Sequence, residues 1–172
     1  MNDRLIELEV QNFRSLRKII VPLGPLNVLV GPNGAGKTNV LEVFRFLADV
    51  IRTDLEPALE LRGGFDELVF WGGQRRPASF QIKLKATWTA HSSLSAPDEY
   101  TLRVERRLHS QAGASLRRHE SFQFKRTQGR GRRITISGQK VSIESIGRDK
   151  ETAFTSMGVV YGVCVTCDRF VS

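Results

Sequence analysis

Between Leu26 and Leu41 the chain reads LNVLVGPNGAGKTNVL, and no other stretch restricts the fold so tightly. An apolar, β-branched run stops at Gly31, and apolar residues resume only after a lysine and a hydroxyl. Gly31-Pro32-Asn33-Gly34-Ala35-Gly36-Lys37-Thr38 satisfies G-x-x-x-x-G-K-[ST] at every fixed position. Gly31, Gly34 and Gly36 let the backbone curl without Cβ clashes, so that successive N–H groups converge on an anion. Pro32 has no N–H and can only stiffen the way into the loop. The first N–H groups of the following helix have no partners inside it, and the dipole there favours negative charge. Lys37 adds a full positive charge within reach of β- and γ-phosphates, and Thr38 offers a hydroxyl to Mg2+. The bland alternative is a glycine-rich turn ahead of a helix. The flanks disfavour it: an apolar run ends at Val30 and an apolar helical pattern begins at Lys37. The loop points to a nucleoside triphosphate held by Gly31, Asn33, Gly34, Ala35, Gly36, Lys37, Thr38 and Asn39, with Thr38 on the metal side.

The rest of the chain supplies a scaffold. LIELEVQNF (5–13) places Ile6, Leu8 and Val10 on one face at period two, a half-buried strand. RKIIVPL (17–23) reads as a second strand, ended by Pro22 and Gly24-Pro25 and close enough to the first to form a hairpin around NFRSL. LNVLV (26–30) is expected to be a strand buried on both faces. A helix should run from Lys37 to about Ile51. Val40, Leu41, Val43, Phe44, Phe46, Leu47, Val50 and Ile51 cover most of its circumference and leave Glu42, Arg45 and Asp49 as one polar stripe. Such a helix is expected inside a core.

Residues 53–77 are broken by Pro57, Gly63-Gly64, Gly72-Gly73 and Pro77 and read as a connector with a helical turn at Asp66–Phe70. From residue 78 the period switches to two: Phe80, Ile82, Leu84, Ala86 and Trp88, then Tyr100, Leu102 and Val104, then SFQFKR, RRITIS and KVSIES. Ser137–Lys140 makes a tight turn with Gly138 at its tip. The expected organisation is a strand, loop and helix core over 1–52, a connector over 53–77 and an antiparallel β-subdomain over 78–146, with polar loops at 91–98 and 127–132. Residues 147–172 form a tail that no pattern defines.

Three segments, LIELEVQNFRSL, LGPLNVLVGPNGAGKTNVLEVFRFL and GGFDELVFWGG, resemble the N-terminal lobe of the RecF/SMC/OLD branch of ABC-type ATPases, whose core is filed as AAA-type. The resemblance covers residues 4–90 and, as pattern alone, 91–146. Transport-type ABC domains resemble it less, since they continue GKTTL where this chain has GKTNVLE. The resemblance implies an α/β P-loop NTPase head of ABC/SMC type, of which this is the N-terminal lobe with an antiparallel β-subdomain. It implies ATP and Mg2+ as ligands, held between two heads, with hydrolysis coupled to opening on DNA or RNA in repair, maintenance or defence. Arg14 and Ser15 match the family's NFRS element and by that resemblance join the nucleotide site. On the residues alone, Asn12–Ser15 is a hairpin turn with one aromatic tucked inward.

The resemblance fails where hydrolysis would occur. Phosphoryl transfer to water needs an acid on the metal and a group that positions the water. The family places both at the end of an apolar strand, as Asp-Glu, after a serine-glycine signature helix. Here Asp66-Glu67 follows RGGF, Asp98-Glu99 reads as loop, and GVVYGVCVTCD ends in Asp168 with Arg169 where Glu is wanted. ESIGRDK (144–150) is a poor signature. Cys164 and Cys167 supply two of the four ligands a zinc site needs, and His91, His109 and His119 are scattered, so both cysteines read as small strand residues. No catalytic residue is assigned. The chain is expected to be a first lobe without Walker B or signature, inactive alone, and completed by a C-terminal lobe or a head-to-head partner.

Charge opens a second reading. The net charge of +8 is concentrated in Arg103, Arg106, Arg107, Arg117, Arg118, Lys125, Arg126, Arg130, Arg132 and Arg133, with only Glu105 and Glu120 within that window. Such a cluster can neutralise phosphates, making the chain a nucleic-acid-binding or regulatory module that keeps the lobe as scaffold. The plainer view is a solvated basic face, since Phe122 and Phe124 alternate as core-facing residues would. No apolar run approaches the ~20 residues of a membrane span, no basic-then-apolar leader opens the chain, and two cysteines make no disulfide framework, so a cytoplasmic location is expected.

Overall fold

The computed structural model describes residues 4–109, 113–126, 130–138, 140–146 and 153–156. In chain order its elements are β1 (Arg4–Phe13), β2 (Leu16–Pro22), α1 (Lys37–Arg52), α2 (Leu55–Glu60), α3 (Phe65–Leu68), β3 (Ser79–Thr87), β4 (Asp98–His109), β5 (Gly113–Phe124), β6 (Gly131–Ser137), β7 (Lys140–Ile146) and β8 (Ala153–Ser156). The strands form one eight-stranded sheet in the order β2-β1-β3-β4-β5-β6-β7-β8. Every pairing in it is antiparallel. Because β1 pairs with β3, the sheet runs without a break from the N-terminal hairpin into the meander.

The helices cover one face of this sheet. Alternation in β3 is complete: Phe80, Ile82, Leu84 and Ala86 are buried and the residues between them are not. Leu8 and Val10 of β1 and Leu102 and Val104 of β4 share that face. Phe46 of α1 reaches down between Phe13 and Phe80, with ring centroids 5.8 and 5.7 Å away, and Phe65 of α3 stacks on Phe80 at 5.8 Å. Four rings thus join two strands to two helices, each burying an area that only aromatic side chains supply.

Several expectations need correction. Residues 26–30 belong to no strand, with Leu26 83%, Val28 74% and Val30 89% exposed. A strand buried on both faces needs neighbours on both sides, and among the described residues none lies alongside it. Helix α1 is buried on one side only, through Val40, Val43, Phe46, Leu47 and Val50, while Leu41 and Ile51 are exposed. The connector holds a helix, α2, that its proline concealed. Pro57 lies in the first turn, where a missing N–H costs little, and the Asp54 side chain caps the helix by accepting from the Leu55 N–H at 2.7 Å. Asp98 and Glu99 open β4 and are not in a loop. Strand β5 starts at Gly113, well before SFQFKR, and β6 starts at Gly131 inside the expected loop. Ser137 pairs with Lys140, and Gly138 takes φ 59°, while Gln139 lies outside the described residues. Cys164, Cys167, Asp168 and Arg169 lie outside the described residues.

Candidate nucleotide site

The β1–β2 turn is tight, Phe13 pairing with Leu16 so that Arg14 and Ser15 alone form the bend. Asn12 and Arg14 both take left-handed backbone, φ 56° and 48°, a conformation that costs a non-glycine residue about 1–2 kcal/mol. Neighbours hold it there. The Arg14 N–H donates to the Leu68 carbonyl at 2.7 Å, the Phe70 N–H to the Asn12 carbonyl at 2.9 Å, and the Asn12 amide to the Ser79 carbonyl at 3.3 Å. Strain maintained in this way is characteristic of ligand-contacting turns.

That bend abuts the glycine-rich loop. Asn39 Nδ2 donates to Ser15 Oγ at 2.6 Å. A Cβ on Gly36 would sit 3.0 Å from Leu16 Cδ2 and 3.2 Å from Ser15 Oγ. Gly36 also has φ 87°, so both its conformation and its neighbours require glycine. Within the loop, Lys37 Nζ donates to the carbonyls of Gly31 at 2.6 Å and Pro32 at 2.7 Å, which folds the ammonium over the loop. Ala35 N–H donates to the Pro32 carbonyl at 3.3 Å, but no hydrogen bond to another described residue takes up the N–H groups of Gly34, Gly36, Lys37 or Thr38. A rank of donors beside an ammonium fits a polyphosphate. The exposed Thr38 hydroxyl at the same helix end fits a phosphate-bound Mg2+.

Arg14 lines an open cleft of about 800 Å3 together with Glu42, Arg45, Asp49, Arg52 and Arg62. Among the described residues its guanidinium has no ion pair, and its buried Nε has no hydrogen-bond partner. Across the cleft, the polar stripe of α1 is paired rather than solvated. Arg62, with only 8% of its side chain exposed, bonds Asp49 at 2.5 Å and the Ala58 carbonyl at 3.0 Å and lies over the Phe46 ring at 5.5 Å. Arg45 bonds Glu42 at 2.6 Å. That bond holds the Glu42 carboxyl below the usual carboxylate range, against partial burial and with help from Arg14 and Arg62. Sequence reasoning missed Arg62. The signal was a charged stripe on an otherwise apolar helix, which requires a partner.

The basic stretch is not left facing only Glu105 and Glu120. Arg106 pairs with Asp66 at 2.6 Å, Arg118 with Asp54 at 2.5 Å and with Glu120, Lys125 with Glu99 at 2.5 Å, and Arg126 with Asp98 at 3.2 Å. Asp98 is fully buried and also accepts from the Thr89 N–H and hydroxyl. Tyr100 donates to Glu120 at 3.0 Å, and burial, reinforced by that carboxylate, raises the phenol well above its ordinary range. These acids are structural partners. Asp66 and Glu67 sit on α3, and none of the acids ends a buried strand beside the loop.

A glycine-rich loop on a helix N-terminus, abutted by a strained hairpin and seated on one face of a sheet, is the nucleotide-binding lobe of a P-loop ATPase. The chain belongs to the family described as "AAA domain, putative AbiEii toxin, Type IV TA system", whose family model matches residues 26–153. It is similar to the OLD nuclease of Thermus scotoductus, 42% identical over 76 residues, covering 36% of this chain and 14% of that protein. It is similar also to the DNA replication and repair protein RecF of Myxococcus xanthus, 40% identical over 84 residues, covering 48% of this chain and 20% of that protein. Over 49 residues it is 45% identical to structural maintenance of chromosomes protein 1 of Schizosaccharomyces pombe, 27% of this chain and 4% of that one. A solved SMC ATPase, studied for ATP-driven dimerization and DNA-stimulated activation, overlays with a TM-score of 0.47 at 17% identity, over 72% of each chain. The chain is thus a RecF/SMC/OLD-type P-loop ATPase lobe, and it spans 14% and 20% of the first two relatives.

Proposed function

We propose that this chain binds Mg-ATP as the first lobe of a RecF/SMC/OLD-like ATPase acting in DNA repair, maintenance or defence in the cytoplasm. The observation that carries the reading is the set of unpaired N–H groups at Gly34, Gly36, Lys37 and Thr38 beside the Lys37 ammonium. Gly31, Asn33 and Ala35 shape the loop, Asn39 and Ser15 close its side, and Arg14 lies on the adjoining cleft. Lys37 exchanges two carbonyl contacts for phosphate oxygens, and Thr38 meets the metal, which neutralises charge on the phosphates when bound. Neither Asp-Glu pair among the described residues is placed for the metal: Asp66 is held by Arg106, Asp98 by Arg126 and Glu99 by Lys125. Hydrolysis therefore requires acids from a second lobe or a partner head. The exposed apolar ribbon Leu26–Val30, directly ahead of the loop, supports that requirement.

Calorimetry of the folded chain with Mg-ATP tests this. Binding heat is expected, with affinity falling about 10–100-fold in Lys37→Ala, the equivalent of one or two charge-assisted hydrogen bonds. No heat from a chain that circular dichroism shows to be folded overturns the proposal. Hydrolysis at an ordinary enzymatic rate, abolished by Lys37→Ala, overturns the clause on inactivity alone.

A second reading, nucleic-acid contact through Arg103–Arg133, is favoured by Arg103, Arg117, Arg130 and Arg132, which have no ion-pair partner among the described residues.

A further inference from the structure

Among the described residues two buried side-chain atoms have no hydrogen-bond partner, Arg14 Nε and Arg62 Nε, and both residues line the cleft beside α1. Buried donors are nearly always paired, because a donor stripped of water and given no acceptor is costly. Glu42 Oε2 lies 3.7 Å from Arg62 Nε, beyond hydrogen-bond reach. With 8% of its side chain exposed, Arg62 cannot satisfy that atom from bulk solvent. One such atom is a local irregularity, but two in the same cleft point to an acceptor that enters it.

The charges say what kind of acceptor. Arg14, Arg45, Arg52 and Arg62 line the cleft against two carboxylates, Glu42 and Asp49. Arg45 takes Glu42 at 2.6 Å and Arg62 takes Asp49 at 2.5 Å. That leaves Arg14 and Arg52 without an ion pair among the described residues. Every cation in the lining is a guanidinium, whose planar fork meets two oxygens of a carboxylate or phosphate at once. Phe44, Ala48 and Leu61 complete the wall, so apolar surface is offered beside the charge. An opening of about 800 Å3 is ordinary for a small-molecule site, where an apolar wall carries a few convergent polar groups.

Distance separates this cleft from the glycine-rich loop. Glu42 lies five residues beyond Lys37 on α1 and Arg52 fifteen, about 7 and 22 Å along the axis at ~1.5 Å per residue. A phosphate on the N–H groups of Gly34–Thr38 is therefore out of reach of Arg52. We infer that the cleft between α1 and the Arg14 bend is a second anion site, which takes a small organic molecule bearing a carboxylate or phosphate on an apolar body. Arg14 and Arg52 supply the free charge, and the two unpaired Nε donors gain an acceptor as the guanidinium groups close on it. The site is independent of Mg-ATP binding at the loop.

Calorimetry of the full chain with phenyl phosphate and with phthalate tests it, in Lys37→Ala and in the parent saturated with Mg-ATP. One equivalent of probe should bind with the same affinity in both backgrounds. Heat from either probe alone supports the site and names its oxyanion. Arg52 is exposed, so Arg52→Gln should fold as the parent does and weaken binding about 10-fold, the loss of one charge-assisted contact. Arg52→Lys should recover only part of it, since an ammonium lacks the fork. Inorganic phosphate should bind more weakly than phenyl phosphate, and equal affinities overturn the role of the apolar wall. Probe heat that vanishes in Lys37→Ala or under Mg-ATP overturns the second site, because the anion then sits on the loop. Equal affinity in Arg52→Gln and the parent, or no heat at low salt from a chain that circular dichroism shows to be folded, also overturns it. Probe heat retained where Mg-ATP gives none leaves this site standing while the nucleotide reading fails.

Discussion

His119, on the sheet face away from the helices, shows at the scale of one residue how neighbouring charge tunes a side chain. Burial lowers its pKa from 6.5, helped by Arg117, Arg103 and Arg107 and opposed by Glu105, while Ser137 Oγ lies 3.1 Å from Nδ1. The folded protein therefore takes up this proton less readily than the unfolded chain. Stability is complete above the unfolded value of 6.5 and is lost as pH falls through it towards the lower folded value. Thermal midpoints recorded from about pH 7.5 to about pH 5 should decline more steeply for the parent than for His119→Gln, which has no imidazole to protonate. Equal slopes would show that the imidazole feels no such field. Arg14 is a different residue-scale case. Its strained backbone and unpaired Nε were invisible in the sequence, where only the family resemblance singled it out.

At the scale of elements, α1 and the α2–α3 segment are joined by one side chain. Arg62 is nearly buried, bonded to Asp49 and to the Ala58 carbonyl and stacked on Phe46, whereas Arg45, its neighbour on the stripe, is 65% exposed. Arg62→Ala should lower unfolding free energy by about 3 kcal/mol, since it leaves a half-buried carboxylate unpaired. Arg45→Ala should cost no more than about 0.5 kcal/mol. Urea titration of both variants checks the contrast, and comparable losses would refute it. Legibility follows the same lines. β3 could be read directly because one face is buried and the other wet, which writes the alternation into the sequence. The first half of β5 could not, because after Leu116 its inward positions hold Arg118 and Glu120, charged residues made tolerable by Asp54 and Tyr100, which are distant in sequence. Helix α2 hid behind a proline that local rules treat as a breaker.

For the molecule as a whole, the glycine-rich motif could be read directly and its setting could not. Eight residues in a fixed frame define the motif locally, but burial of Leu26–Val30 depends on strands that no local rule supplies, and the segment stands exposed. Exposed apolar ribbons promote association. Leu26→Lys/Val28→Lys should reduce concentration-dependent self-association in sedimentation equilibrium while leaving the unfolding midpoint in place. A midpoint that drops sharply would mean that the segment is packed after all.

The uninterrupted sheet carries a mechanical implication. Ser15, against the loop, belongs to the hairpin whose strand β1 is laced to β3, and β3 to β4, at the end where Gln11, Gln81 and Arg103 lie in one transverse row. Between that bend and the arginines of β4 lie three hydrogen-bonded strands, β1, β3 and β4, whose register is unbroken at this end. Any tilt imposed on the bend at one margin must reappear as a rotation of the cationic margin, in the manner of a stiff plate turned by one corner.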